Sequence, residues 1–195
     1  VHATVPNILT AARLAAVPVI VIALVADAGQ DGWLRWWALV VFLVAAATDF
    51  LDGYLARRWG VVSAFGSLAD PIADKALILT ALATLVWVDG VPWWPLAVLA
   101  VREIGVTLGR LAVAAEVVIP ASPGGKLKTV LQLAAVTGFM APHASAAVET
   151  LAWWALLAAV AVALVTGVHY TWRMLSAHRE MTRRPHTRGG ADAAA

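Results

Sequence analysis

Cysteine is absent from all 195 residues. Neither a disulfide framework nor a thiolate metal site can form, and the redox compartment leaves no trace in the sequence. Charge is scarce too: Asp, Glu, Lys and Arg make up 13% of the chain against 62% hydrophobic residues, and the mean hydropathy is +0.81. No ordinary soluble domain of this length has that balance, so the composition indicates an integral membrane protein. The N-terminus lacks a basic segment leading to a small-residue cleavage site, and the first apolar helix is expected to stay in the mature protein. No pair of Gly/Pro-broken apolar helices recurs in the two halves, which speaks against a transporter repeat.

What is present are apolar runs. Two uncharged stretches, residues 129–148 and 150–172, are long enough to cross about 30 Å of hydrocarbon as helices. Four more, residues 14–26, 36–48, 76–88 and 90–113, are bounded or interrupted by charge. Arg13, Asp49 and Asp74 at their ends are read as facing an interior cavity at the membrane boundary. The expectation is an all-α integral membrane protein of six transmembrane helices, preceded by a short N-terminal juxtamembrane helix. The helices are expected over about 11–26, 36–56, from a loop at 59–63 to 88, 95–115, from Lys128 to about 142, and 149–172. Residues 116–128, with Pro120, Pro123, Gly124 and Gly125, read as the clearest loop. A single membrane domain over 1–182 is expected, the chain turning polar from Arg173 and a disordered tail filling 183–195.

Orientation follows from the basic residues. Of 14, only Arg35 belongs to the end of the bundle with the turns near Gly29, Gly90 and His143. Arg57, Arg58, Lys126, Lys128 and five tail arginines share the other end, which the positive-inside rule makes cytoplasmic. Both termini are then cytoplasmic. Trp33, Trp36, Trp37, Trp87, Trp93 and Trp94, with Trp153 and Trp154, form an aromatic belt at the outer end. The net charge of +2 and pI near 9.4 concern lipid headgroups and substrate phosphates rather than nucleic acid, because the cations gather beside apolar runs.

The stretch DFLDGYLARRWGVVSAFGSLADPIAD, residues 49–74, carries the chemistry. In a helix, Asp49 and Asp52 lie three residues apart and Asp70 and Asp74 four apart, so each pair shares a helix face. One acidic residue at mid-membrane costs about 2.5 to 3.5 kcal/mol, and four call for a positive partner. A carboxylate set without His or Cys suits Mg²⁺ or Mn²⁺ better than zinc or copper. Gly53, Ala56, Gly66 and Ala69 let a bulky ligand approach the backbone, and Arg57 offers a fixed cation for phosphate. The combination specifies a site for a pyrophosphate-bearing substrate, with metals neutralising charge in phosphoryl transfer. A divalent-metal transporter is the rival reading from another class.

Asp49, Asp52, Gly53, Ala56, Arg57, Gly66, Asp70 and Asp74 match without a gap the D-x2-D-G-x2-A-R-x8-G-x3-D-x3-D signature, and the chain resembles the CDP-alcohol phosphatidyltransferases. Pro6-Asn7-Ile8-Leu9-Thr10 with Arg13 looks like that family's N-terminal motif. Arg102-Glu103-Ile104 and Gly125-Lys126-Leu127-Lys128-Thr129 are similar to its bacterial phosphatidylglycerophosphate synthase branch. The resemblance implies two metal ions on Asp49, Asp52, Asp70 and Asp74, and Asp74 as the base that takes the acceptor proton. It implies contacts to the CDP-lipid from Gly53, Ala56, Arg57, Ser63, Gly66, Asn7 and Thr10, although Asn7 after Pro6 serves equally as a helix cap. It implies CDP-diacylglycerol and sn-glycerol 3-phosphate as substrates, the cell membrane as location, and a homodimer. Within the family, an inositol phosphate or phosphatidylglycerol acceptor is the alternative. The acceptor dianion needs its own basic pocket. Arg110 and Lys126 are the first candidates for it, Arg102 and Lys128 the second.

Overall fold

The structure is a computed structural model. It describes the backbone of residues 4–59, 64–113 and 123–182, and the side chains of 10–48, 75–109 and 124–170. Among the described residues it is all-helical: α1 (Thr4–Asp27), α2 (Trp33–Trp59), α3 (Ala64–Val88), α4 (Trp93–Val113), α5 (Pro123–Met140) and α6 (Ala146–Thr182). α1 and α6 contain windows, Thr10–Asp27 and Ala146–Tyr170, long and apolar enough to cross a membrane. The apolar parts of α2 and α3, Trp33–Thr48 and Lys75–Val88, are shorter.

Turn chemistry sets the breaks. Asp27 ends α1 by accepting the Gly32 N–H at 2.8 Å on Oδ1, while Ala28, Gly29 and Asp31 adopt positive φ. A Cβ on Gly32 would stand 2.9 Å from that same oxygen, which requires glycine there. α3 closes on Gly90 at φ 69°, with the Val91 N–H reaching back to the Leu85 carbonyl at 3.5 Å, the left-handed helix cap that glycine favours.

Three expectations are corrected. The N-terminal motif segment is no separate helix, because Thr4–Asp27 is continuous and Pro18 sits within it. The expected loop 116–128 is cut short, because α5 already starts at Pro123, a residue suited to the first turn of a helix. α5 stops at Met140, since Pro142 disfavours helical backbone at Ala141, and His143 takes φ 52° before α6 begins. The last helix continues past residue 172 to Thr182, because residues 173–182 hold no Gly or Pro and several good helix formers. The tail expected at 183–195 lies outside the described residues.

α1 packs broadly on α2 and α3, and α6 on α5 and α4. Narrower joints, α3 with α4 and α5 and α2 with α5, connect these two trios. The core crosses them: Leu24, Phe42, Leu82, Leu85, Leu99, Met140 and Leu156 are fully buried, and each contributes about 1.5 to 3 kcal/mol of burial if removed from water. Trp33, Trp36, Trp37, Trp87, Trp93 and Trp154 stay exposed. Trp153 instead turns inward, half-buried, and meets Trp94 edge-to-face with ring centroids 6.2 Å apart.

At the end of the bundle that holds the turns, Arg35 bridges the trios. Its guanidinium donates bidentately to Asp89 at 2.9 and 2.7 Å, and to the carbonyls of Phe139 at 2.6 Å and Met140 at 3.3 Å. Asp31 lies 3.2 Å from Nε. One side chain thus joins the start of α2, the end of α3 and the end of α5. Arg35→Gln leaves a carboxylate and two carbonyls without their donor, and stability should fall by about 3 to 5 kcal/mol. Equilibrium unfolding in mixed micelles measures it, and an unchanged transition would remove this clamp from the account of the fold.

Candidate functional site

The acidic stretch lies on a helical hairpin. Asp49, Asp52, Gly53, Ala56 and Arg57 belong to α2, and Gly66, Asp70 and Asp74 to α3. The helical backbone therefore holds the expected three- and four-residue registers. Ser63 lies outside the described residues, as do the side chains of the other motif positions, of Asn7 and of Arg110. The donor set is four carboxylates within two adjoining helix ends, without His or Cys, and hard oxygen ligands of this kind fit a divalent cation. Among the residues with described side chains no second group of metal-ligating residues occurs.

The described neighbours are informative. Thr10 and Arg13 of α1 are almost completely buried. An apolar cleft of about 310 Å³ runs between α1 and α2, lined by Arg13, Ala16, Trp37, Val44 and Thr48 among other described residues. A second cavity, about 480 Å³, lies at the opposite end of the bundle around Asp31, Arg35, Asp89 and Glu149. It is remote in sequence from the motif and is closed on one side by the Arg35 clamp.

Directly beyond Asp74 stands a polar cluster that joins four helices. Glu103 of α4 is 4% exposed. Its Oε1 accepts from Lys128 of α5 and, at 3.0 Å, from Arg102 Nη1, while Oε2 lies 4.0 Å from Lys75 Nζ of α3. Lys75 also donates to Thr107 Oγ1, and that hydroxyl donates to the Glu103 carbonyl at 2.7 Å. Arg102 Nη2 reaches Thr166 Oγ1 of α6 at 3.1 Å. Its Nε is buried and meets no acceptor among the described residues. Gly167 admits the arginine stem: a Cβ there would lie 3.4 Å from Arg102 Cγ.

The structure thus brings two of the four candidate acceptor cations, Arg102 and Lys128, onto one carboxylate. Lys126 is exposed at the start of α5. His169 is exposed and Tyr170 buried at the same level of α6. The sequence reading missed Lys75 and the central place of Glu103. Charge pairing would have found them: Lys75 opens the apolar run of α3, Glu103 is the one carboxylate inside the run 90–113, and a buried charge needs its opposite.

Comparison with known proteins identifies the family. The family profile described as CDP-alcohol phosphatidyltransferase matches residues 3–165. A "Probable phosphatidylglycerophosphate synthase" of Mycobacterium tuberculosis (strain ATCC 25618 / H37Rv) is 43% identical over 178 residues, covering 89% of this chain and 82% of that protein. A "CDP-diacylglycerol--glycerol-3-phosphate 3-phosphatidyltransferase" of Bacillus subtilis (strain 168) is 36% identical over 145 residues, covering 69% of this chain and 75% of that protein. A "Cardiolipin synthase (CMP-forming)" of Streptomyces coelicolor is 42% identical over 100 residues, 51% of this chain and 46% of that protein. With an unbroken eight-position motif on the α2–α3 hairpin and a profile match along most of its length, the chain belongs to the CDP-alcohol phosphatidyltransferase family of membrane-associated, divalent-metal-dependent transferases.

Proposed function

We propose that this protein transfers the phosphatidyl group of CDP-diacylglycerol to sn-glycerol 3-phosphate, giving phosphatidylglycerophosphate and CMP. The observation that carries the reading is the complete motif at the α2–α3 hairpin. The names of the relatives that match most of the chain, against the half-length match to a cardiolipin synthase, favour this acceptor.

The acceptor hydroxyl attacks the phosphorus that carries the diacylglycerol. A new P–O bond forms, the pyrophosphate P–O bond to CMP breaks, and CMP leaves with the electron pair. Asp74 takes the hydroxyl proton, as a carboxylate within hydrogen-bond reach can. Two Mg²⁺ or Mn²⁺ ions, when held by Asp49, Asp52, Asp70 and Asp74, supply neutralisation of the pyrophosphate charge. Gly53, Ala56 and Gly66 keep the helix surface low for the nucleotide, and Arg57, Ser63, Asn7 and Thr10 hold the CDP-lipid. Arg110 and Lys126 grip the acceptor phosphate. Arg102 and Lys128 are secondary, since both already donate to Glu103, although Arg102 Nε keeps one unmet donor among the described residues. All six helices span the membrane, the site and both termini are cytoplasmic, and the protein works as a homodimer in the cell membrane.

CMP release from CDP-diacylglycerol, measured with glycerol 3-phosphate, an inositol phosphate and phosphatidylglycerol in turn, tests the acceptor. Only the first should support turnover, and EDTA should silence it. In the same assay Asp49→Asn, Asp52→Asn and Asp70→Asn should each abolish release by removing a charged ligand at constant size. Asp74→Asn should be inactive yet still bind CDP-lipid. Full activity in metal-free buffer would sink the mechanism.

Losing one charge-assisted phosphate contact weakens transition-state binding by about 1.5 to 3 kcal/mol, roughly 10- to 150-fold in kcat/KM. Arg110→Gln and Lys126→Gln should show that loss for the acceptor and spare CDP-diacylglycerol. Wild-type acceptor kinetics in both variants would move the pocket elsewhere.

The uneven division of basic residues sets the topology. A cysteine introduced at Ala194 should resist an impermeant thiol reagent in intact cells, and efficient labelling would reverse the orientation.

A further inference from the structure

The Glu103 cluster has a feature that ion pairing alone does not account for: it sits across a joint. The metal-binding motif belongs to the trio α1–α3, whereas all four candidate acceptor cations belong to α4 and α5. These trios meet through narrow contacts between α3 and α4, α3 and α5, and α2 and α5. Arg35 ties them at one end of the bundle. Midway along α3 and α4, nearer the motif, the tie between described side chains is Glu103 with Lys75, Arg102 and Lys128.

Each anchor point adjoins a residue that the proposed reaction uses. Lys75 follows Asp74 directly in α3, so holding its ammonium against Thr107 and Glu103 sets the rotation and height of the helical turn that carries Asp74. Lys128 lies two residues beyond Lys126 in the first turns of α5. Positions 103, 107 and 110 of α4 follow i, i+4, i+7 spacing, one stripe of a helix, so Glu103, Thr107 and the position of Arg110 share a register. The Arg102 guanidinium extends the same tie to α6 through Thr166.

The energetics point the same way. Burying one carboxylate with three cations forfeits hydration that an apolar set of the same volume would not, and such clusters are weak contributors to stability. What a buried ion cluster does supply is direction: each ammonium or guanidinium is satisfied in one geometry only, whereas apolar side chains tolerate sliding. A group transfer between two substrates held by two different helix trios needs that register, because a displacement of about 1 Å between reacting groups can cost on the order of 100-fold in rate.

We propose that Glu103 is a positioning residue, the strut that fixes the acceptor-binding helices α4 and α5 against the helix turn of Asp74, with Lys75 and Lys128 as its two feet. The inference rests on the acceptor pocket and base assigned above. Glu103 touches neither substrate and acts through the spacing of the trios.

The test uses the full chain, which has no native cysteine to interfere with labelling. Nitroxides are attached at Leu14→Cys on α1 and Val165→Cys on α6, both exposed and one on each trio. Pulsed electron resonance then reads the distance between them. In Glu103→Gln the distance distribution should broaden or shift, and kcat/KM for glycerol 3-phosphate should fall at least tenfold, while CDP-diacylglycerol binding stays within twofold of wild type. Glu103→Asp, which keeps the charge, should recover part of both. If Glu103→Gln does not fold, Lys75→Gln serves, since Lys75 is partly exposed and Glu103 keeps Arg102 and Lys128 without it. It should show the same acceptor-specific loss. A lower melting temperature with unchanged distances and unchanged acceptor kinetics would reduce Glu103 to a structural ion pair and overturn the proposal. Loss of CDP-diacylglycerol binding in Glu103→Gln would overturn it as well, by placing the residue in the donor site. If wild-type protein releases no CMP with glycerol 3-phosphate, the functional reading fails, while the label distances still decide whether the strut exists.

Discussion

A charge inside an apolar helical bundle must meet its opposite, and this chain is built around two places where that happens. Arg35 gathers Asp89, Asp31 and two carbonyls at one end. Glu103 gathers Lys75, Arg102 and Lys128 midway along α3 and α4. Both cross between the α1–α3 trio and the α4–α6 trio. Desolvation makes each unpaired member costly, so the ionic ties resist sliding in a way that the leucine and valine core between them does not.

This division of labour suits a two-substrate transferase. The carboxylate motif, with its low-profile glycines and alanines, occupies one hairpin of one trio, and the basic residues on α4 and α5 occupy the other. Small residues serve packing elsewhere: a Cβ on Gly124 would stand 2.6 Å from Thr166 Cγ2 and one on Gly138 2.7 Å from Ala152 Cβ, so α5 approaches α6 closely at both levels.

Much of this was legible in the residues. Six helices, their turns at Gly29, Gly90 and His143, and the helical spacing of Asp49, Asp52, Asp70 and Asp74 followed from periodicity, breaker residues and charge placement. The misreadings have local causes. Residues 173–182 are polar yet good helix formers, so polarity there did not end α6. The N-terminal motif segment, read as a separate short helix, runs straight into α1, since neither Gly nor Pro stands between Asn7 and Val17. Pro123, Gly124 and Gly125 read as loop residues, yet proline suits the first turn of a helix and α5 begins there.

By itself the sequence determined the class of the molecule and its chemistry: carboxylates without sulfur or imidazole select a hard divalent cation, and their spacing in a helix sets the pairs, because ligand type and helical period are properties of the residues themselves. It could not determine that Lys75, 28 positions before Glu103, shares a carboxylate with Lys128, 25 positions after it. Which buried charges pair depends on which helix faces meet. That is decided by the packing of the whole bundle, where each ion takes the counter-charge that the tertiary contacts bring within reach.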